Sequence, residues 1–386
     1  MSTDYLLRSI LLTFELVITR NCNLNCKYCF EGKKTNEVME EQSIPNILNF
    51  IDLYKNNDFI FDKDNIHIDF NGGEALLNKD FITNFIKSSK DRNFSYSVTT
   101  NGICITDDFV DFIYKNDISI QISLDGNKET NDKNRRFYDG QGSFDIVYNN
   151  LLKLRNNLHN EKLSISLVVT PDTVSKLFQN IKFLLDNGFT SISASYCIDY
   201  VWDDTSIKIY SNELKKLSDL YIEFLTNTKV VNISLISQQI QNILNNFSKP
   251  NCGACIDMLA ILPNGNILPC GGFVGCKNEE DIVIGNIKES IQKDKIKEYL
   301  NNPSKFDKDC NICSLSPRCH HSCYANNNRV TGDKYKICSS YCKLNQITIM
   351  NADHILNTLL KTKNKFFYET FLRRIYEKKD VTIINF

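Results

Sequence analysis

Three cysteines near the start of the chain have a spacing that suits a metal cluster. Cys22, Cys26 and Cys29 form the pattern C-x3-C-x2-C directly after the first predicted strand. Three thiolates on one short loop can each bind one iron of a cubane [4Fe–4S] cluster, which leaves the fourth iron open to a ligand from outside the protein. This arrangement indicates a catalytic iron–sulfur cluster. The alternative from the spacing alone is a zinc site, although zinc normally takes four protein ligands, or three and a water.

A second group of cysteines lies in the C-terminal third. Ten of the 15 cysteines fall between residues 251 and 342, among Gly, Pro and Asn. They form the patterns C-x9-G-x4-C, which ends at Cys270, and C-x2-C-x5-C-x3-C, which begins at Cys310. An odd number of cysteines suits a disulfide framework poorly. Clustered cysteines in a reducing compartment are typical of metal ligands, so this region is predicted to be a small domain organised by metal.

The composition excludes several classes of protein. Lys and Arg number 45 against 46 Asp and Glu, which argues against a protein that neutralises many nucleic-acid phosphates. No apolar run approaches the roughly 20 residues of a membrane-spanning helix. The first apolar stretch, residues 10–19, contains Glu15 and lacks the cleavage site of a signal peptide. We therefore expect a cytoplasmic protein without a nucleic-acid or membrane partner.

The elements that position these residues alternate between strand and helix. Strands are predicted at residues 12–19, 66–70, 96–100, 118–123, 163–169 and 191–196. Helices are predicted at residues 44–54, 81–89, 107–114, 144–158, 174–187 and 214–225. This order predicts an α/β fold with a parallel sheet, either open or closed into a partial (β/α)6 TIM-like barrel. In such folds active sites form at the carboxyl ends of the strands, where Cys22 lies.

Four regions are predicted along the chain. Residues 10–230 form the partial barrel, and residues 231–250 a helical linker. Residues 251–342 form the cysteine-rich domain, and residues 343–386 return to a helical pattern.

Further motifs follow successive strands, and together they resemble those of radical S-adenosylmethionine enzymes. The chain has Tyr28 inside the cysteine loop, the segment Asn71-Gly72-Gly73-Glu74, and Thr99-Thr100-Asn101-Gly102. It departs from the family in having Ala75 where proline is usual. The resemblance implies that Gly72, Gly73 and Glu74 present backbone groups to the methionyl amino group of S-adenosylmethionine, with Tyr28 and Asn101 part of the same site. It also implies that Ser123 holds the ribose, Arg135 pairs with the cofactor carboxylate, and Ile198 flanks the adenine.

The C-terminal cysteine pattern resembles the SPASM domain of many enzymes in this family. The resemblance implies two auxiliary [4Fe–4S] clusters, which together with the catalytic cluster make three. The first auxiliary cluster would take Cys252, Cys255, Cys270 and Cys323. The second would take Cys310, Cys313, Cys319 and Cys338, with Cys342 as the alternative to Cys338.

Family resemblance also suggests a reaction. The catalytic cluster would reduce S-adenosylmethionine to give a 5′-deoxyadenosyl radical, which abstracts hydrogen from a peptide substrate. Residues 270–287 and 125–137 are similar to maturases that install cysteine thioether crosslinks in ribosomally made peptides, so this activity is predicted. In anaerobic sulfatase maturases an Asp that acts as base follows the G-x4-C cysteine, whereas this chain has Gly271. Sulfatase maturation or another radical SPASM oxidoreductase activity is the alternative, and a metal-binding scaffold without catalysis is the non-enzyme alternative.

The expected partners follow from the same resemblance. The substrate would be a peptide such as a Cys-rich precursor, and an external donor such as flavodoxin or ferredoxin would supply electrons. Many thioether-forming maturases carry an N-terminal recognition domain of about 80 residues. Cys22 lies too early for such a domain to precede it. Recognition is therefore assigned to a separate peptide-recognition protein or to the barrel and C-terminal region.

Overall fold

The computed structural model describes residues 11–32, 34–57, 64–158, 160–244, 253–289, 291–300, 308–319 and 323–372. Cys252, proposed as a ligand of the first auxiliary cluster, lies outside the described residues. Within the described residues, no helix is both long and apolar enough to cross a membrane.

The strands form one sheet that is parallel over most of its width. In chain order they are β1 (Leu12–Val17), β2 (Ile66–Asn71), β3 (Phe94–Thr100), β4 (Ser119–Ser123), β5 (Leu163–Val169), β6 (Ser191–Tyr196), β7 (Asn232–Ile233), β8 (Met258–Ile261), β9 (Asn266–Leu268) and β10 (Gly285–Asn286). The spatial order is β10-β9-β8-β1-β2-β3-β4-β5-β6-β7. Strands β1 to β7 run parallel in sequence order, which confirms the predicted α/β class.

Helices connect the strands. They are α1 (Ile44–Tyr54), α2 (Lys79–Ser88), α3 (Asp107–Lys115), α4 (Lys128–Asn134), α5 (Phe144–Asn157), α6 (Leu177–Asp186), α7 (Asp204–Thr226), α8 (Ser234–Leu244), α9 (Glu279–Ile282), α10 (Lys293–Leu300), α11 (Lys308–Ile312), α12 (Tyr324–Thr331), α13 (Ser339–Lys361) and α14 (Lys365–Phe367). The long helix α13 packs on α7 and α8, where Tyr210 and Thr348 share a hydrogen bond of 2.8 Å. The C-terminal helix thereby joins the core of the barrel.

Alternation along the strands separates the core from the site. In β1 the buried Leu12, Phe14 and Leu16 alternate with the more open Thr13 and Glu15. Burial also alternates in β2, β4 and β5, where most of the apolar residues are buried and the polar residues lie on the opposite face. Because successive side chains of a strand point to opposite faces, one face of the sheet is a hydrophobic core and the other is polar.

The segment expected to be a linker departs from that expectation. Asn232 and Ile233 pair in parallel with Ser191 and Ile192 of β6, and α8 follows at once. Residues 232–233 thus extend the barrel sheet by one short strand, and α8 contacts β6 and β7. A strand of two residues is too short to show alternation, so the sequence pattern predicted only the helical part of this segment.

The first strands of the cysteine-rich region continue the sheet on its other side. Strand β8 pairs in parallel with β1, and β9 turns back against β8. This pairing brings the residues that follow β9, including Cys270 and Gly271, alongside the first barrel strand.

Candidate active site

One cavity of about 520 Å³ opens at the carboxyl ends of the barrel strands. All eleven barrel residues proposed as cluster ligands or cofactor contacts line it. They are Cys22, Cys26, Tyr28, Cys29, Gly72, Gly73, Glu74, Asn101, Ser123, Arg135 and Ile198. A larger cavity of about 760 Å³ beside α1 and α2 contains none of them.

The cysteine loop offers its thiols to this cavity. Cys22 Sγ accepts hydrogen bonds from the backbone N–H of Leu24 (3.4 Å) and from Asn101 Nδ2 (3.7 Å). Burial raises the pKa of the Cys22 thiol to about 11 and also raises the pKa of Cys26. Such thiols stay protonated on their own, whereas binding to a metal removes the proton. The donor set therefore fits a cluster.

The described side chains do not converge on a single ion. Among them, no three His, Cys, Asp or Glu residues lie close enough together to hold one metal ion. The thiols that hold a cubane each bind a different iron, so a cluster site does not require such convergence.

Two glycines form a close-fitting wall of the cavity. The backbone N–H groups of Gly73 and Glu74 donate to the carbonyls of Thr19 and Asn21, both at 2.8 Å. A Cβ on Gly73 would lie 2.4 Å from the Asn21 carbonyl oxygen, and one on Gly72 would lie 2.3 Å from that of Thr19. Only glycine allows this approach of the two backbones. The Gly72 N–H donates to Asn71 Oδ1 at 2.7 Å. Since the N–H groups of both glycines are used, the glycines can offer carbonyl oxygens, which are the acceptors that an ammonium group needs.

The Glu74 carboxylate accepts its hydrogen bonds from other groups of the protein. It accepts hydrogen bonds from the backbone N–H groups of Leu76 (2.9 Å) and Asn101 (2.7 Å) and from the Thr100 hydroxyl. Asn101 in turn donates to Asn23 Oδ1 at 2.7 Å. These bonds fix the end of β3 against the cysteine loop, so the side chain of Glu74 acts by holding the two loops together.

Arg135 is paired with Asp125, a residue that the sequence motifs did not single out. Its Nε donates to Asp125 Oδ1 at 3.2 Å, and both side chains are buried. The Tyr28 hydroxyl donates to the other oxygen of Asp125, and the guanidinium lies 5.3 Å from the centre of the Tyr28 ring. Within the described residues the terminal guanidinium nitrogens make no hydrogen bond, so Asp125 and Tyr28 hold a cation with free donors at the cavity wall.

The sequence motifs also did not identify two carboxylates in the cavity wall. Glu15 of β1 and Asp69 of β2 are register partners and both line the cavity. Burial, and then the charge of Asp69, raise the pKa of Glu15 to about 8, and the nearby backbone N–H of Gly271 offsets part of this. Burial raises the pKa of Asp69 to about 6, although the Ser97 hydroxyl donates to it. An acidic residue at a cavity-facing position of a strand was the signal that could have found them.

The cysteine-rich region completes the cavity wall with Gly271, Gly272, Asn326 and Arg329. The Arg329 guanidinium donates to the carbonyl oxygens of Gly272 (3.0 Å), Phe30 (3.1 Å) and Val274. Because Phe30 directly follows Cys29, this one side chain connects the cysteine loop to the C-terminal region.

Two described cysteines of the proposed first auxiliary set lie together. The backbone N–H of Cys255 donates to the carbonyl of Pro269 at 3.0 Å, next to Cys270. Burial raises the pKa of Tyr299, and the neighbouring Cys255 and Cys270 raise it further. The third, Cys323, immediately precedes α12.

Part of the second set lies at the start of α13. The backbone N–H of Cys313 donates to the carbonyl of Cys310 at 3.3 Å. Cys319 accepts a hydrogen bond from Asn345 of α13 at 3.1 Å. Cys338 caps α13 and is buried, whereas Cys342 is one turn further and accepts from Gln346 at 3.4 Å. Both remain alternatives for the last ligand. Of the cysteines without an assigned role, Cys197 lines the active-site cavity.

Comparisons of the sequence with known proteins give two relevant matches. Residues 16–184 match the model of the radical SAM superfamily. The chain is 28% identical over 362 residues to a cysteine-type anaerobic sulfatase-maturating enzyme of Clostridium novyi, covering 88% of this chain and 95% of that protein.

Solved structures share the fold. The chain matches native anSMEcpe with bound AdoMet and Cp18Cys peptide with a TM-score of 0.74 at 21% identity, covering 91% of this chain and 99% of that one. It matches Streptococcus suis SuiB bound to its precursor peptide SuiA with a TM-score of 0.58 at 17% identity, covering 86% and 76%. At these identities the likeness shows the fold alone.

Proposed function

We propose that this chain, which matches the radical SAM superfamily model over residues 16–184 and resembles anaerobic sulfatase maturases and other maturases, is a radical S-adenosylmethionine enzyme that oxidises a cysteine-containing peptide, most directly by forming a thioether crosslink. One observation supports this above the others: the cysteine loop, the cofactor-contact residues and the cysteine-rich region all face one cavity. When bound there, a [4Fe–4S] cluster and S-adenosylmethionine would supply a 5′-deoxyadenosyl radical that removes a hydrogen atom from carbon.

The roles of the barrel residues follow from their chemistry. Cys22, Cys26 and Cys29 would hold the catalytic cluster. The carbonyls of Gly72 and Gly73 would accept from the ammonium group of the cofactor. The free donors of Arg135 would hold its carboxylate, a task suited to a guanidinium.

Three further residues would complete the cofactor site. Ser123 would bind the ribose hydroxyls, and Ile198 would pack on the adenine. The hydroxyl of Tyr28, already bonded to Asp125, would keep the Arg135 guanidinium in place.

The cysteine-rich region would hold the two auxiliary clusters, for a total of three. Cys255, Cys270 and Cys323, with Cys252, would hold the first of them. Cys310, Cys313 and Cys319, with Cys338 or Cys342, would hold the second. Such clusters would accept the electron that remains on the product, and an external flavodoxin or ferredoxin would reduce the catalytic cluster.

A second candidate is maturation of a sulfatase cysteine. The observation in its favour is the similarity to the C. novyi sulfatase-maturating enzyme along nearly the whole of that protein. Against it stands Gly271, which gives this chain no side chain after Cys270. Both candidates begin with a cysteine substrate in the same cavity, and they differ in the product.

Mass spectrometry separates the two. The reconstituted enzyme is incubated anaerobically with S-adenosylmethionine and a reductant, together with either the Cp18Cys peptide or a Cys-rich precursor peptide. A thioether link removes two hydrogens and retains the sulfur. Crosslinking of the precursor supports the first candidate, and modification of the Cp18Cys peptide alone supports the second.

A further inference from the structure

The most unusual contact in the cavity is between Glu15 and Gly271. A Cβ built on Gly271 would lie 1.9 Å from Glu15 Oε2. The backbone of Gly271 does not have a positive φ, so its conformation would accept a side chain. Glu15, reaching across from β1, therefore takes up the space that a side chain at position 271 would need.

The Glu15 carboxylate is placed for chemistry rather than for structure. Its Oε2 atom is screened from solvent and accepts no hydrogen bond of good geometry among the described residues, although the backbone N–H of Gly271 lies close enough to lower the pKa of the carboxyl group. A buried polar atom without a partner costs stability, so its retention points to a role. The carboxylate also lines the cavity into which Cys22 and Arg135 face.

We propose that Glu15 accepts the thiol proton of the substrate cysteine. This inference rests on the proposed function. In the step, the S–H bond breaks with its electron pair left on sulfur, and the proton passes to Glu15. Proton transfer itself needs no oxidant. The later loss of a hydrogen atom from carbon goes to the 5′-deoxyadenosyl radical, and one electron goes to an oxidised iron–sulfur cluster.

Base strength agrees with this assignment. A free cysteine thiol has a pKa near ~8.5, and a base works best when its own pKa lies near that of the group it deprotonates and near the working pH. An ordinary glutamate, near ~4.3, would be far too weak. Burial and Asp69 raise the pKa of Glu15 to about 8. Asp69 is the charged group that acts on it from β2, and the neighbouring Ala260 of β8 is uncharged.

The test uses three variants of the holoenzyme and a matched control. Glu15→Gln keeps the size of the side chain and removes the base. The double variant Glu15→Ala/Gly271→Asp returns a carboxylate to the same space from the opposite wall. Glu213→Gln is the control, because Glu213 is also buried but lies on α7 outside the cavity. Asp69→Asn lowers the pKa of Glu15 by removing a like charge.

Two activity readouts are measured for each, with S-adenosylmethionine and whichever of the Cys-rich precursor and the Cp18Cys peptide the wild-type enzyme modifies. Glu15→Gln should lose peptide product by at least about 100-fold, which is the scale of general-base catalysis, while 5′-deoxyadenosine still forms. The double variant should recover product to within about tenfold of the wild-type enzyme. In Asp69→Asn the rise of product formation with pH should move to lower pH. Wild-type product rates in Glu15→Gln, or an unmoved pH profile in Asp69→Asn, would overturn the proposal.

A third readout needs no substrate. A carboxyl group with a raised pKa in the folded state contributes stability that is lost as pH rises from its unfolded value toward about 8. The melting temperature of the wild-type holoenzyme should therefore fall relative to that of Glu15→Gln between pH 6 and pH 9. If the wild-type enzyme modifies no peptide, the proposed function fails, and this readout still tests whether Glu15 has the raised pKa that the proposal requires. Parallel melting curves of the two proteins across this range would overturn the proposal.

Discussion

Arg135 Nε donates to Asp125 Oδ1 at 3.2 Å, and the two residues form a buried ion pair in the wall of the cavity. This ion pair contributes to the stability of the fold and also shapes the cavity wall. Asp125 also accepts from the Val168 backbone N–H at 3.1 Å, so it connects β5 to the proposed cofactor site. The consequences of changing Arg135 should therefore appear in stability as well as in binding.

Replacing Arg135 by Ala should weaken cofactor binding. Loss of a charge-assisted contact costs on the order of 2–3 kcal/mol, which corresponds to roughly 30- to 150-fold in affinity. Equilibrium binding of S-adenosylmethionine to the reconstituted protein measures this. Arg136→Ala is the matched control, since Arg136 is the exposed neighbour, and its affinity should be unchanged. Equal affinities in the two variants would contradict the assignment.

The same change should destabilise the fold through Asp125. Removing one member of a buried ion pair leaves an unpaired charge, at a cost of about 3–5 kcal/mol, whereas replacing both members by apolar residues is often neutral. We expect Arg135→Ala to unfold at lower denaturant concentration than Asp125→Leu/Arg135→Met. If the double variant is the less stable of the two, the pair is not the main stabilising element here.

The catalytic cluster should be separable from the auxiliary clusters by iron analysis. Three cubanes give about twelve irons and twelve sulfides per chain. Replacing Cys22, Cys26 and Cys29 together by Ala should leave about eight irons and abolish cofactor cleavage. If the wild-type protein contains only about four irons, the proposed auxiliary clusters are wrong. If it contains one zinc and no sulfide, all of the proposed iron–sulfur clusters are wrong.

The glycine wall should not accept a methyl group. In Gly73→Ala the Cβ would lie 2.4 Å from the Asn21 carbonyl oxygen, so the cysteine loop must move. We expect loss of S-adenosylmethionine binding with the overall fold retained, checked by titration and circular dichroism. Gly332→Ala is the control, because its Cβ meets nothing within 4 Å, and only the strain of a positive φ, about 1 kcal/mol, should appear there. Normal binding by Gly73→Ala would contradict the proposed contact.

Cys319→Ala should separate radical formation from product formation. Cys319 accepts from Asn345 of α13 and belongs to the proposed second auxiliary set. The variant should still form 5′-deoxyadenosine but lose peptide product. Iron content is measured first, since loss of a cluster can unfold a domain organised by metal. A folded variant with eight irons that crosslinks peptide at the wild-type rate would make the second auxiliary cluster purely structural.

Much of the site could be predicted because its residues lie at or after the carboxyl ends of predicted strands. The carboxyl ends of neighbouring parallel strands meet at one edge, so Cys22, Gly72, Asn101 and Ser123 come together once the strand order is known. Gly72 and Asn101 directly follow β2 and β3, Ser123 is the last residue of β4, and Cys22 lies in the loop after β1. Their individual roles are not contained in that pattern and need the experiments above.

Other features depended on tertiary contacts. Glu15 lies in the middle of β1. A polar residue in an alternating strand normally faces solvent, and only the tertiary structure shows that Glu15 faces the cavity. Asp125 and Arg135 lie on either side of the short helix α4. No periodic pattern in the sequence indicates that their side chains pair. The attachment of β8 to β1 crosses some 240 residues of chain, so local pattern could not predict it.

Formation of 5′-deoxyadenosine together with peptide modification tests the central claim most directly. The anaerobically reconstituted protein is given S-adenosylmethionine, a reductant and the peptide substrates, with the Cys22→Ala/Cys26→Ala/Cys29→Ala variant in parallel. We expect 5′-deoxyadenosine and a peptide lighter by two hydrogens with its sulfur retained, both absent from the variant. If the wild-type protein forms no 5′-deoxyadenosine, or if the variant continues to form it, the proposed catalytic cluster is wrong.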